Sequence, residues 1–201
     1  MTSPGTVHIV DDDEAVRESL QALLETKKYA AKTYPTAEAF LAAHPAAPEG
    51  CAIVDVRMPG MDGITLLNRL RERGHALPVI VVTGHGDIPL AVQAMKAGAV
   101  DFVEKPYSNE TIIEAVRRAL AAAPAETATG SAEIAARIAT LTPRERDVMD
   151  QLVIGNPNKI IAFELKISPR TVEIHRANLM KKMQADSLSH LVRMALAAKG
   201  R

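Results

Sequence analysis

The sequence predicts an α/β doubly wound domain on a five-stranded parallel sheet, followed by a small all-α domain of four helices. Three observations lead there. Up to about residue 123, short Val- and Ile-rich runs alternate with longer stretches of helical period, as βα units require. One run, "VIVVT", is apolar throughout, as a strand covered on both faces should be. Beyond residue 141 every pattern is helical, with breaks at Gly, Pro and Ser.

The strands are expected at residues 7–10, a weaker 30–34, 52–56, 79–83, and 102–103 with its flanks. Helices fill the intervals at 14–26, 37–43, 64–73, 89–97 and 109–122. The stretch "AAAPAETATG" is small, polar and broken by Pro and Gly, so 1–123 reads as one domain and 124–140 as a linker. Within that linker Ser131 is placed to cap a short helix with Ile134, Ile138 and Leu141 on one stripe. The second domain, 141–201, holds helices at 143–154, 159–165, 169–183 and 188–198.

Composition narrows the class. Of 201 residues, 47% are hydrophobic, enough for two modest cores and too many for a disordered chain. No apolar run approaches the ~20 residues of a membrane helix, and "MTSPGTVHIV" is no export signal. The single cysteine, Cys51, opens an apolar run and reads as a small core residue; a cytoplasmic protein is expected, without a membrane partner. The net charge of zero conceals asymmetry. Residues 1–130 carry 12 Lys+Arg against 17 Asp+Glu, and residues 131–201 carry 12 against 7. A basic second part suits a polyanionic partner.

Three aspartates, Asp11, Asp12 and Asp13, follow the first strand directly. Close carboxylates repel unless something positive sits among them. Asp13 suits the solvated cap of a helix; Asp11 and Asp12 need another reason. In a doubly wound sheet, ligands collect at the carboxyl ends of the strands. Asp11 and Asp12 end strand one, Asp55 strand three, Thr83 strand four, and Lys105 follows strand five, so five polar groups converge on one crevice. Carboxylates with open positions suit a hard divalent cation such as Mg²⁺.

These residues stand in "IVDDDEAVRESL", "DVRMPGMDG", "VVTGHGD" and "AMKAGAVDFVEKP", which in order and spacing resemble a response-regulator receiver domain over residues 6 to about 122. The resemblance implies that Asp55 accepts a phosphoryl group from a histidine kinase. It implies Mg²⁺ ligation by Asp12, Asp55 and the backbone carbonyl of Arg57, with Asp11 acting through water. Lys105 would pair with the phosphoryl group, ahead of a cis bond to Pro106. Thr83 and Phe102 would switch together and remodel a face bearing Val92, Met95 and Ala99, through which phosphorylated chains would dimerise. An enzyme reading, a phosphohydrolase working through an aspartyl phosphate, is disfavoured because Arg57 stands where its acid–base carboxylate would be.

In "ISPRTVEIHRANLMKKM", Ser168 can cap a helix that Pro169 begins. Val172, Leu179 and Met183 share an inward stripe with His175 beside them; Arg170, Glu173, Ile174, Ala177 and Lys181 share another face, flanked by Arg176. Many solvated helices look so. The longer pattern "LTPRERDVM…G…NKIIAFELKISPRTVEIHRANLMKKM" resembles the LuxR-type helix-turn-helix domain over 141–198, and the two-domain order matches the FixJ group of response regulators. That resemblance makes 159–165 the scaffold helix and 169–183 the reader. Glu173, Ile174 and Ala177 would face base edges, while Lys159, Arg170, Thr171, Arg176 and Lys181 would meet phosphates. It implies promoter DNA and RNA polymerase as partners, a sensor kinase of the FixL type, and activation of transcription. The competing reading is an adaptor or phosphate sink whose helical half binds protein.

Overall fold

The computed structural model describes residues 5–44, 46–84, 88–121 and 129–199. In chain order the elements are β1 (Thr6–Val10), α1 (Glu14–Thr26), β2 (Ala30–Tyr34), α2 (Ala37–Ala43), β3 (Cys51–Asp55), α3 (Gly63–Glu72), β4 (Val79–Thr83), α4 (Ile88–Lys96), β5 (Asp101–Glu104) and α5 (Asn109–Ala121), then α6 (Thr129–Ala139), α7 (Pro143–Ile154), α8 (Asn158–Leu165), α9 (Pro169–Met183) and α10 (Leu188–Lys199). They form two compact units, residues 1–86 with 97–124, and residues 87–96 with 125–201.

The first unit is a five-stranded parallel sheet in the order β2-β1-β3-β4-β5. Alternation along the strands sends Val7, Ile9, Ile53, Ile80, Val82 and Val103 to a core shared with Leu20 and Leu24 of α1 and Ile112 and Val116 of α5. β3 and β4 are buried along their whole length, whereas the edge strand β2 is half-exposed, which is why "AAKTY" carries a weak strand signal. Side-chain caps fix the helix starts. Asp13 accepts from the Ala15 and Val16 amides, Thr36 from Ala39, and Asp62 from Thr65. Cys51 is fully buried and its thiol is pushed up to about 12 by that burial, so it is an inert core residue as expected.

On the face opposite the first core, His8 lies edge-on to Phe40 of α2. Its Nε2 is 3.1 Å from the Glu49 carbonyl, which can only accept, so the proton sits on Nε2. Nδ1 of the neutral ring then accepts from the Tyr34 hydroxyl (3.2 Å), whose oxygen is left to accept from His44 Nε2 (2.8 Å). Burial holds His8 below the ordinary imidazole value, as do the charges of His44 and Lys32. His44 is lowered too, by burial first and then by Lys32 and His75. Native chains therefore bind fewer protons here than unfolded ones below the unfolded value of about 6.5, and stability is lost as pH falls through that window. Thermal unfolding at pH 7.5 and pH 5.5 should show a lower midpoint in acid, with the drop reduced in His8→Gln. An unchanged or higher midpoint at pH 5.5 contradicts this reading.

The second unit is helical. Its core gathers Val148, Met149, Leu152 and Val153 of α7, Ile161 of α8, Val172, Leu179 and Met183 of α9, and Leu191 and Met194 of α10. Ile134, Ile138 and Leu141 join it, as their stripe predicts. Thr142 and Glu145 form a reciprocal capping box at the start of α7, and Ser168 accepts from the Thr171 amide at the start of α9, with Pro169 in the first turn.

Several expectations need correction. Helix α6 starts at Thr129, so Ser131 lies inside it and does not cap it; residues 124–128 of the expected linker lie outside the described residues. Helices α3 and α4 each run one residue earlier than their patterns suggest, α3 because Asp62 caps it at Gly63. Val92, Met95 and Ala99 are not an open surface. They are 1%, 5% and 5% exposed, and Ala91 and Ala94 are buried beside them.

Candidate phosphoacceptor site and nucleic-acid interface

The acidic site grows out of sheet order. β1 is flanked by β2 on one side and β3 on the other, and the chain ends that leave β1 and β3 open the crevice where such folds bind ligands. The register pairs Val10 with Val54, so Asp11 and Asp55 emerge side by side. Thr83 ends β4 one position beyond the partner of Asp55, and the Lys105 amide donates to the Thr83 carbonyl at 2.8 Å. The bond between Lys105 and Pro106 is cis, as the receiver resemblance implies.

The geometry unites what the sequence spreads over ninety-four positions. Lys105 Nζ donates to Asp55 Oδ1 at 2.7 Å and to Asp11 Oδ2 at 3.1 Å. Both acids are nearly sealed, 3% exposed at Asp11 and 7% at Asp55. Their remaining oxygens are also occupied: Asp11 Oδ1 accepts from the Asp13 amide at 3.0 Å, and Asp55 Oδ2 from the Arg57 amide at 2.6 Å. Burial pushes the Asp11 carboxyl upward, against the pull of the Asp13 amide and Lys105. For Lys105, burial opposes the charge, yet its bonds to Asp55 and Asp11 hold the ammonium above its ordinary value. The lysine supplies the positive charge that Asp11 and Asp55 share.

Thr83 contributes a buried hydroxyl, 2% exposed, that finds no hydrogen-bond partner among the described residues. Such an orphan costs free energy unless a ligand oxygen meets it in another state. Phe102 is half-buried and pairs with Val81 across the sheet. At this site Gly63 admits only glycine: a Cβ there would collide with the Asp55 carbonyl oxygen, so α3 can start directly behind the acid. Glu38 was not foreseen. Its carboxylate accepts from the Met61 amide at 3.0 Å and so ties α2 to the loop after Asp55.

The donor set fits Mg²⁺. Asp12 is exposed beside the two buried carboxylates. Among the described residues no three His, Cys, Asp or Glu side chains form a cage by themselves. An open set of acids and a backbone carbonyl is what an ion that keeps several waters accepts. Residues 85–87 of "VVTGHGD" lie outside the described residues.

On the helical unit, α9 presents the face the sequence assigns to it. Arg170, Glu173, Ile174, Ala177 and Lys181 are exposed, Ile174 by 52%, while Val172, Leu179 and Met183 are buried and His175 is half-buried. Lys159 is exposed at the start of α8, and Thr171 is half-buried, its hydroxyl 2.8 Å from that of Ser168. Arg170 Nη1 donates to Glu173 Oε2 at 3.1 Å across one exposed turn. Arg176, expected to meet phosphate, already has a protein partner in the structure. It is half-buried and donates to Asn158 Oδ1 at 2.8 Å, bracing α9 against the first residue of α8. Burial also lowers its guanidinium value, against the charge of Glu173.

Known proteins match both halves. The family described as response regulator receiver domain covers residues 7–117, and the bacterial regulatory proteins of the luxR family cover residues 139–195. The chain belongs to the response regulators that join a receiver domain to a LuxR-type domain, and it is a transcriptional regulator of that kind. Among individual proteins it is similar to FixJ. The transcriptional regulatory protein FixJ of Rhizobium meliloti is 55% identical over 195 residues, spanning 96% of this chain and 95% of that one. FixJ of Bradyrhizobium diazoefficiens is 50% identical over 202 residues, 98% of each. The crystal structure of full-length FixJ from B. japonicum aligns over 100% of both chains with a TM-score of 0.58 at 48% identity. A receiver domain implies a histidine kinase as partner, and a LuxR-type domain implies DNA. No helix among the described residues is long and apolar enough to cross a membrane.

Proposed function

We propose that Asp55 accepts a phosphoryl group from a histidine kinase of the FixL type, and that its occupancy raises the affinity of the helical unit for promoter DNA. The observation that carries this is the meeting of Asp11 and Asp55 on one lysine ammonium, 3.1 and 2.7 Å away. In the transfer, a carboxylate oxygen of Asp55 attacks phosphorus in line. The bond from phosphorus to the donor nitrogen breaks, and its electron pair leaves with the imidazole. Asp11, Asp12, Asp55 and the Arg57 carbonyl would hold Mg²⁺, which when bound offsets charge on the phosphoryl oxygens. Lys105 pairs with one of those oxygens, releasing Asp11, and the Thr83 hydroxyl donates to another. Filling the space that Thr83 vacates is the role left to Phe102.

The reader is α9. Glu173, Ile174 and Ala177 meet base edges, while Lys159, Arg170, Thr171 and Lys181 meet phosphates; Arg176 acts through its brace to Asn158. Phosphorylated chains pair, so that two half-sites are bound with the effective concentration of a linked dimer. The regulator works in the cytoplasm and activates transcription through RNA polymerase.

DNA is favoured over a protein partner by the exposed α9 face, where basic ends flank a small residue. Binding to duplex selected from a random-sequence library should weaken steeply with salt. In Arg170→Ala, affinity should fall and the slope of log K against log salt should become shallower by about 1. A salt-indifferent interaction, unchanged by this substitution, would support the adaptor reading instead.

A further inference from the structure

Resting on the reading of the acid site just given, we propose that Arg17 is a positioning residue that aims the acid pair at the divalent cation. Arg17 lies in the first turns of α1, and its Nη1 donates to the backbone carbonyls of both Asp11 and Asp12, at 2.8 and 2.9 Å. The segment is held from the other side as well. The Asp13 amide donates to Asp11 Oδ1 at 3.0 Å, and the Asp13 carboxylate accepts from the Ala15 and Val16 amides at 2.9 and 3.4 Å.

Turning two successive carbonyls onto one guanidinium nitrogen sets the backbone dihedrals of residues 11 and 12. The directions in which their side chains leave the chain follow from those dihedrals. Arg17 is half-buried, and its charge-assisted bond to the Asp11 carbonyl is less exposed to competing water than a surface pair. Its guanidinium stands against the backbone of two of the three aspartates, where Lys105 makes no bond. A lysine could supply the charge and donate to both carbonyls; it lacks the fixed, planar direction of the guanidinium N–H bonds.

A purely structural role, stiffening the connection from β1 to α1, would lower stability and leave ion affinity alone. The two are separable on the full chain. It contains no tryptophan to report binding, so titration calorimetry with magnesium chloride alone, without phosphodonor, is the measurement. Outer partners of metal ligands typically contribute about 10- to 100-fold in affinity. Arg17→Gln should weaken Mg²⁺ binding by that factor, and Arg17→Lys by less. Arg117→Gln, which removes only an exposed pair with Glu114, should bind like the parent. Should Arg17→Gln not fold, Arg17→Lys decides: weakened binding at an unchanged unfolding midpoint supports the proposal. Binding within twofold of the parent in the folded variant overturns it. A parent chain that binds no Mg²⁺ would overturn the reading of the site itself, and this inference with it.

Discussion

The Asp55→Asn chain, incubated with acetyl phosphate and Mg²⁺, will incorporate no phosphoryl group, while the parent becomes labelled. The substitution is nearly isosteric but removes the anionic oxygen that must attack phosphorus, and no other acid in the crevice stands in its place. Asp11 is turned to the Asp13 amide and Lys105, and Asp12 is exposed. The fold should survive, because the asparagine carbonyl can still accept from the Arg57 amide or from Lys105, the two bonds that Asp55 makes now. One buried anion is lost beside an ammonium, so Lys105 keeps only Asp11 as a charged partner in the variant. Label recovered on the variant at the parent's level would place the acceptor elsewhere.

Leu179→Ala should be the most damaging change in the helical unit. Leu179 is fully buried on the inward stripe of α9, in a core with Leu152, Ile161, Val172 and Met183. Truncating such a leucine costs about 2–5 kcal/mol. A core this small rarely supplies more than about 3–5 kcal/mol in total. Chemical denaturation followed by circular dichroism should show the helical transition moving to low denaturant or disappearing, and duplex binding should fall with it. Phosphoryl incorporation at Asp55 should persist, since that chemistry belongs to the other unit. Ile174→Ala on the exposed face should change stability by less than about 0.5 kcal/mol while weakening duplex binding. Equal destabilisation by the two substitutions would mean that the two faces of α9 have been assigned wrongly.

Much of this architecture is legible because each strand announces its own end. Apolar runs stop at Asp11, Asp55 and Thr83, and parallel topology brings those ends together without any knowledge of distance. The reader helix is legible for a similar reason: a serine cap, a proline in the first turn and two stripes at helical spacing leave few alternatives. Other features were hidden because they depend on partners that residue types do not announce. Nothing in the residue types shows that Arg176 also donates to Asn158, eighteen residues earlier. Arg17 looks like an ordinary solvated charge near a helix start; that its target is backbone carbonyl leaves no trace in residue types. Periodicity was least informative for α4. It shows that Val92 and Met95 are apolar, not whether water or protein covers them, and they are covered. Ser131 failed as a cap for a plainer reason: a good capping residue inside a helical pattern is outvoted when the helix begins two residues earlier.

Under the proposed function, the state of one buried carboxylate at the end of β3 controls how tightly α9 holds DNA. Parent and Asp55→Asn chains, each titrated into selected duplex with and without acetyl phosphate and Mg²⁺, test that link most directly. Phosphodonor should tighten binding by the parent and leave the variant where it began. Identical curves for the parent in both conditions, or an equal gain in Asp55→Asn, would contradict it.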